Sequence, residues 1–480
     1  MEIEVIKLGG SILQSIETFG RATEIVQKEM AQGKLPICVV SAMKGVTDQI
    51  IGALNGCLND PRYDPKTFVM NLFEKHLLAL PPGVEADEEM ETEFEKLLHV
   101  LSYIKSSGEL ADSVYAYAVS RGENLSSRVL SLHLTNAKVE NRCFYGEELM
   151  VTDENNKEAA VILDETRVRL QLNLSPVLEK NIAPIIAGFA GRSESGKVTI
   201  LGRGGTDDTA VNIAYGLGVR RTIKYVMEKG IMSIDPKFIR ELREEHPDIM
   251  AQFYDLPEPK TIPYLSYVEA SELLREGRTK VVHYKVLDPL MKGNIELQIK
   301  NYYDEDSEGT IIGKVEEAIY IDNEPRPKSI SYQRGLVGVR FLPSQSITPV
   351  EVYGEVFSVL SRKGVDVRYV STSGYQLSFL MPKEDQKRAI EALKELDIAL
   401  EVTPLKGVKG TFSVVGSEMR GMKGFFSRLT GVLARHGVNI EQATQPNTEN
   451  IIRFSIDDDD IPMAVAAVYN EFFKGGQKDE

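Results

Sequence analysis

Cysteine is scarce in this chain: three in 480 residues, at Cys38, Cys57 and Cys143, with no CxxC spacing. Thiols so few and so far apart exclude a disulfide framework and a thiolate zinc site, and they fit a reducing compartment. Histidine is nearly as sparse, six in all and none at metal-ligand spacing. No protein-only metal cage is expected, and His283 in TKVVHYKV reads as a core or turn residue. No apolar run nears the roughly 18 residues of a membrane span, and no basic segment leading into an apolar one opens the chain. A cytoplasmic protein with no membrane partner is expected. Positive charge is also short, since 56 Lys and Arg against 71 Asp and Glu leave a net −15. That balance argues against nucleic acid as a main partner, and any anion site must be locally basic. What remains is ordinary globular composition, 42% hydrophobic and 26% charged, over a length that suits two to four domains.

The most informative stretch is LGRGGTDDTA at 201–210. An apolar approach, VTI, runs into three glycines around Arg203, two acids follow, and a helix-period pattern begins at Ala210, Ile213, Ala214 and Leu217. Glycines let the backbone approach a polyanion, a helix N-terminus offers unpaired N–H groups, and arginine forks onto carboxylate or phosphate. Asp207 beside such a site would repel phosphate unless it orients a cation. The opening IEVIKLGGSILQS pairs with this loop. A lysine, Lys7, closes a buried strand, which is costly without a counter-charge. Set before the Gly9-Gly10-Ser11 turn, it reaches a transferred phosphoryl group and stabilises charge there. This turn has neither P-loop nor GxGxxG spacing, so both of those nucleotide folds lose ground.

Residues 1 to about 190 alternate strands and helices, and about 191–315 repeat the alternation. Runs such as ICVV and PIIAGFAG suit strands buried on both faces of a mostly parallel sheet, with helices on both sides. NEPRPK at 323–328 reads as a linker. The last third holds an internal repeat, at 331–405 and 408–475, each copy ordered βαββα with matching RKGVDV and RHGVNI turns. The first copy ends in one more strand-like run, ALEVTPL, whereas the second ends at its helix. Four-stranded sheets in both therefore require shared strands.

With these motifs in place the sequence resembles the aspartokinases of the amino acid kinase superfamily. IKLGGS resembles the family's KFGGTS, VVSAMKGVTDQI at 39–50 its VVSAMSGVTD loop, SRGENLSSRVLS at 120–131 its SxGExLS helix start, and GRGGTD its GRGGSD. The C-terminal repeat resembles two ACT domains, small-ligand sensors. The resemblance implies an α/β amino acid kinase fold over 1–315, an N-lobe to about 190 and a nucleotide lobe beyond, followed by the two ACT modules. It implies ATP-dependent phosphorylation of L-aspartate on its 4-carboxylate, with Mg²⁺ carried by ATP, an amino-acid effector at the ACT modules, and a homo-oligomer of at least two chains. In the residues, it implies a chemical core of Lys7 and Asp207. Glu123 takes the substrate ammonium, Arg203 a substrate carboxylate, and Ser41 and Thr47 hydrogen-bond the substrate. Gly9, Gly10, Ser11, Gly204, Gly205, Tyr225, Gly230 and Lys280 fall to the nucleotide, and Asp366 and Ser373 to an effector.

The chain departs from the family on the nucleotide side. A T-D-V-D/P-G run is usual, and here Val226-Met227-Glu228-Lys229-Gly230 stands instead, before Asp235-Pro236-Lys237. The Thr-Asp pair is lost, and base preference is open. The family's TTSE effector strand reads Ser371-Thr372-Ser373-Gly374, which removes one partner for a lysine effector. Two rival readings stand beside the main one. One is a kinase of another acid on the same fold, against which the SAMKGVTD and RGENLS loops speak. The other is a catalytically silent, ligand-sensing ACT protein, favoured by the altered nucleotide run and opposed by Lys7, Glu123, Arg203, Asp207 and Lys280 together.

Overall fold

The computed structural model describes residues 1–253, 256–275, 281–304, 306–314, 327–344, 348–373, 376–419, 421–448 and 450–474. The chain divides into two compact units. The first takes residues 1–231, 263–267 and 280–315; the second takes 232–262, 268–279 and 316–480.

The first unit is built on an eight-stranded sheet. Its order is Asn141–Tyr145, Ala183–Ala187, Lys34–Val40, Glu2–Leu8, Arg221–Val226, Glu296–Asn301, Thr310–Gly313 and Tyr264–Ser266. Neighbours run parallel except for the pair Glu296–Asn301 and Thr310–Gly313. Unbroken apolar runs suit strands covered on both faces: in EIEVIKL every residue from Glu4 to Leu8 is buried, and in APIIA all five are. The helix Ile16–Ala31 follows the first strand, its entry fixed by Thr18 Oγ1, which accepts from the Ser15 N–H at 3.0 Å. Below it lies the longest helix, Asp112–Asn136, whose middle third is buried all round. A helix buried on every side carries small residues where backbones approach, and here they are Ser120, Gly122, Ser126 and Ser127.

The second unit holds the repeat. One 15-residue strand, Ser329–Pro343, serves both copies. Its first part pairs antiparallel with Lys409–Val415, from Ser329 opposite Val415 to Gln333 opposite Thr411. Its second part, from Leu336, lies between Gln376–Pro382 and Ala399–Pro404. The register shifts between Gln333 and Leu336, where Gly335 takes a left-handed φ of 75° that a side chain resists. Each copy so reaches four strands, and the strand sharing that the repeat count demanded takes this form. Separate cores sit under the two halves, one on Val339, Phe341, Val356 and Phe379, the other on Phe412, Phe454, Leu429 and Val465. The second core also contains Phe238, Ile239 and Leu242 of the helix Pro236–Glu245. That helix opens at the Asp235-Pro236-Lys237 turn, where the Asp235 carboxylate caps the Lys237 N–H at 2.9 Å. The interval 232–262 thus groups with the repeat although its neighbours in sequence lie in the first unit. Of the 323–328 linker, only 327 and 328 are among the described residues.

Candidate active site

Lys7 sits one residue from the end of the strand Glu2–Leu8, in register with Val39 on one side and Lys224 on the other. In-register neighbours in a sheet share a face, so both lysines project the same way. The helix Gly205–Leu217 covers that face, and Asp207 in its first turn receives both ammonium groups. Lys7 Nζ lies 2.9 Å from Asp207 Oδ1, and Lys224 Nζ lies 2.5 Å from Oδ2. All three side chains are buried. Burial works against the Asp207 charge, but Lys224 and Lys7 overcome it and hold the carboxyl down at about 2. Burial also pulls Lys224 down to about 8, against the attraction of Asp207.

The helix begins at Gly205, five residues before the periodic pattern at Ala210, so both acids belong to its first turn. The apolar period misses this turn because Thr206, Asp207 and Asp208 are polar and yet buried. Gly204 is the N-cap, with φ of 77°. A Cβ there would come within 2.4 Å of the His283 side chain. His283 is half-buried, caps the short turn at Tyr284–Val286, and Lys285 Nζ donates to Leu201 O at 3.0 Å. The 283–285 segment therefore braces the glycine loop. Asp208 accepts from Asn212 Nδ2 at 2.8 Å, and burial pushes its carboxyl up to about 7.

Two of the motif loops are stitched to each other by backbone. The Ser41 N–H donates to Leu8 O and the Lys44 N–H to Leu13 O, both at 3.0 Å. A Cβ on Gly10 would stand 2.6 Å from Ala42 O, so the turn passes under residues 41–44 only as glycine. Glu123 comes to the same place from the long helix. The SxGExLS pattern was expected to start a helix; it lies instead in the middle of Asp112–Asn136, and Glu123 is a buried mid-helix acid. Gly122 allows the approach, since a Cβ there would meet Ala42 Cβ at 3.0 Å. Arg121 anchors the turn on the far side through Glu93, at 2.9 Å, and Glu147. Glu123 Oε2 has no hydrogen-bond partner, and burial raises its carboxyl to about 8 although Lys7 and Arg121 pull the other way.

These elements enclose a cavity of about 640 Å³. Lys7, Ser41, Thr47, Glu123, Arg203, Gly204, Gly205 and Asp207 line it, with Tyr115, Lys157 and Glu158. Arg203 is exposed, and among the described residues it makes no ion pair. Gly9, Gly10 and Ser11 belong to the adjoining turn and are not in the lining. Tyr225 is a core residue, its ring edge-on to Tyr302 with centroids 6.1 Å apart, and Gly230 is a buried turn glycine with φ of 135°. Lys280 and Gly374 lie outside the described residues. Asp366 is half-exposed and paired with Arg368 at 2.5 Å, and Ser373 is exposed at a strand end. The helix Pro349–Arg362 near them is already capped, because Thr348 Oγ1 accepts from the Glu351 N–H and Glu351 Oε2 from the Thr348 N–H. Among the described residues no group of three His, Cys, Asp or Glu side chains is placed to hold a metal ion, and no helix is long and apolar enough to cross a membrane. Sequence reasoning missed Lys224 and Lys157. For Lys224 the signal was available: a lysine inside the buried run RTIKYV is as anomalous as Lys7 in EVIKL.

A model of the amino acid kinase family matches residues 2–301, and an ACT domain model matches 346–396 and 412–472. Aspartokinase 1, chloroplastic, of Arabidopsis thaliana is 25% identical, over 99% of this chain and 81% of its own. The bifunctional aspartokinase/homoserine dehydrogenase of Haemophilus influenzae is 24% identical, over 98% of this chain and 56% of its own. In fold, the chain resembles E. coli aspartokinase III solved with aspartate and ADP (R-state), with TM-score 0.79 at 20% identity, covering 98% of this chain and all of that one. The lysine- and aspartate-bound T-state of the same enzyme gives 0.72 at 20% identity, covering 99% and 100%.

Proposed function

We propose that this chain, which belongs to the amino acid kinase family, transfers the γ-phosphoryl group of ATP to the 4-carboxylate of L-aspartate. One observation carries the reading: Lys7 and Asp207 are paired at 2.9 Å in the wall of a cavity that also receives Glu123 and Arg203. The aspartokinases that match over almost the whole length support aspartate as the acceptor.

A carboxylate oxygen of aspartate attacks the γ-phosphorus, the bond from phosphorus to the β,γ-bridging oxygen breaks, and ADP leaves with that electron pair. The nucleophile is ionised at neutral pH, so the site needs no general base. It needs position and charge. Lys7 neutralises charge building on the transferred group, and Asp207 holds Lys7 on target. Arg203 forks onto the substrate α-carboxylate, and Glu123 takes the α-ammonium, the natural partner for its unsatisfied Oε2. Ser41 and Thr47 hydrogen-bond the substrate, and the N-terminus of Gly205–Leu217 faces the phosphates. Gly9, Gly10, Ser11, Tyr225, Gly230 and Lys280 are assigned to the nucleotide side on the resemblance. On the resemblance, Mg²⁺ arrives on the ATP phosphates.

The same reading divides the chain into a kinase domain to about 315 and regulatory ACT modules at 331–405 and 408–475. An amino-acid effector binds the first module near Asp366 and Ser373, and the chain works in the cytoplasm as at least a dimer. The product, 4-phospho-L-aspartate, enters lysine, threonine and methionine synthesis. A hydroxamate assay with ATP across a panel of amino acids tests the reading. Hydroxamate with aspartate is expected; product only with another acid would replace the substrate, and none with any acid would refute the activity.

A further inference from the structure

Lys224 belongs to none of the motifs and takes no part in the roles above. It sits in the middle of a buried strand between Ile223 and Tyr225, both of them core residues. Lys7 and Asp207 line the cavity and Lys224 does not, yet its Nζ lies 2.5 Å from the Asp207 carboxylate. We infer that Lys224 is a positioning residue for phosphoryl transfer, sharing Asp207 with Lys7 so that the buried cluster keeps a net positive charge toward the transferred group.

The inference rests on the cavity being a phosphoryl-transfer site. A Lys7–Asp207 pair alone sums to zero, and a neutral pair draws a polyanion weakly however well it is aimed. Two lysines on one carboxylate sum to +1. A purely structural role accounts for this poorly, because Lys7 at 2.9 Å already compensates Asp207. A second buried ammonium only adds desolvation cost unless its charge is used. The charged groups facing Lys224 are Asp207 from the covering helix, Lys7 from the neighbouring strand and Glu228 beyond its own strand end. The strand on its other side presents Ile299 in register, which brings no charge. Lys224 is held near 8 by burial, so the cluster falls to zero charge as pH rises past that value. Bound nucleotide, being anionic, moves this loss upward.

The test compares K224M and K224R with the wild type in the full chain, after circular dichroism and thermal unfolding confirm folding. K224M is expected to lower kcat by about 10²-fold, the usual cost of one preorganised charge, with the aspartate KM changed less than about threefold. The wild type should lose kcat on the alkaline side of about pH 8; K224M should lack that limb, and K224R should recover activity and carry the limb to higher pH. A folded K224M within about threefold of wild-type kcat that keeps the limb overturns the inference, as does a folded K224R no more active than K224M. Should K224M not fold, the K224R pH profile decides alone. If the wild type uses another acid, only the substrate reading falls, and the same comparison is made with that acid. If it uses none, ADP affinity by calorimetry decides: at least a tenfold loss in K224M supports the cationic role, and unchanged affinity overturns it.

Discussion

The two candidate sites of the chain, one in each unit, spend charge in opposite ways. In the first, Lys7, Lys224, Asp207 and Glu123 are all buried, and three of them lock together while the fourth is left with an unpaired oxygen. In the second, the ions near the expected effector site are half-exposed or surface groups: Asp366 pairs with its own neighbour Arg368, and Thr348 and Glu351 satisfy each other. Exposed pairs contribute at most about 1 kcal/mol, and water replaces them readily. Buried ions are tolerated only when something is gained from them. The contrast separates groups organised before a ligand arrives from groups that a ligand must recruit.

The hardest blow to this contrast is delivered at the locked cluster. Lys7→Ala and Asp207→Ala should each reduce kcat by at least about 10²–10³-fold, read in the hydroxamate assay. Retention of more than roughly a tenth of the activity would show that the buried cluster is structural. Next come the groups assigned to the substrate. Glu123→Ala and Arg203→Ala should raise the aspartate KM by roughly 10- to 150-fold, the worth of one charge-assisted bond, with the ATP KM nearly unmoved. A rise confined to ATP would reassign both residues.

Smaller, and sharper as a diagnostic, is a pH effect at Glu123. Burial raises its carboxyl to about 8, so it is mostly protonated at neutral pH and must ionise to hold an ammonium. Aspartate affinity should therefore improve as pH rises from 6 toward 8, by up to about tenfold per unit, and binding should release a proton. Calorimetry in buffers of different ionisation enthalpy measures that release; a pH-independent affinity with no proton release would remove Glu123 from the ammonium site. The smallest effect belongs to the second unit: without effector, Asp366→Ala should leave kcat within about twofold, because an exposed pair carries little. A large loss there would erase the distinction between the two sites.

Much of this was legible in the chain. Lys7 was marked by a charge at the end of an apolar strand, the glycine loop by its composition, and the repeat by its period. Lys224 was not found, although the same rule applies to it, because no glycine turn follows it directly to draw attention. The depth of Glu123 was hidden too: a helix buried on all sides has no polar face, so Asp112–Asn136 lacks the amphipathic period by which helix ends and faces are read. The grouping of 232–262 with the repeat depends on Phe238, Ile239 and Leu242 sharing a core with Tyr332, Phe412 and Val414, the centroid of the Phe238 ring lying 4.9 Å from that of Tyr332. No local pattern encodes a partner so far along the chain.

The strand Ser329–Pro343 has a consequence for how the molecule is made. In one continuous sheet, its first residues pair with Lys409–Val415 and its later ones with Gln376–Pro382 and Ala399–Pro404. The first ACT module is therefore nested inside the second, like a parenthesis within a sentence. During synthesis the inner module has all its strands once Pro404 has emerged, while the outer one holds an unpaired strand until Lys409 and the residues after it follow. This order along the chain permits assembly from the inside outward, the outer module closing around a finished inner one.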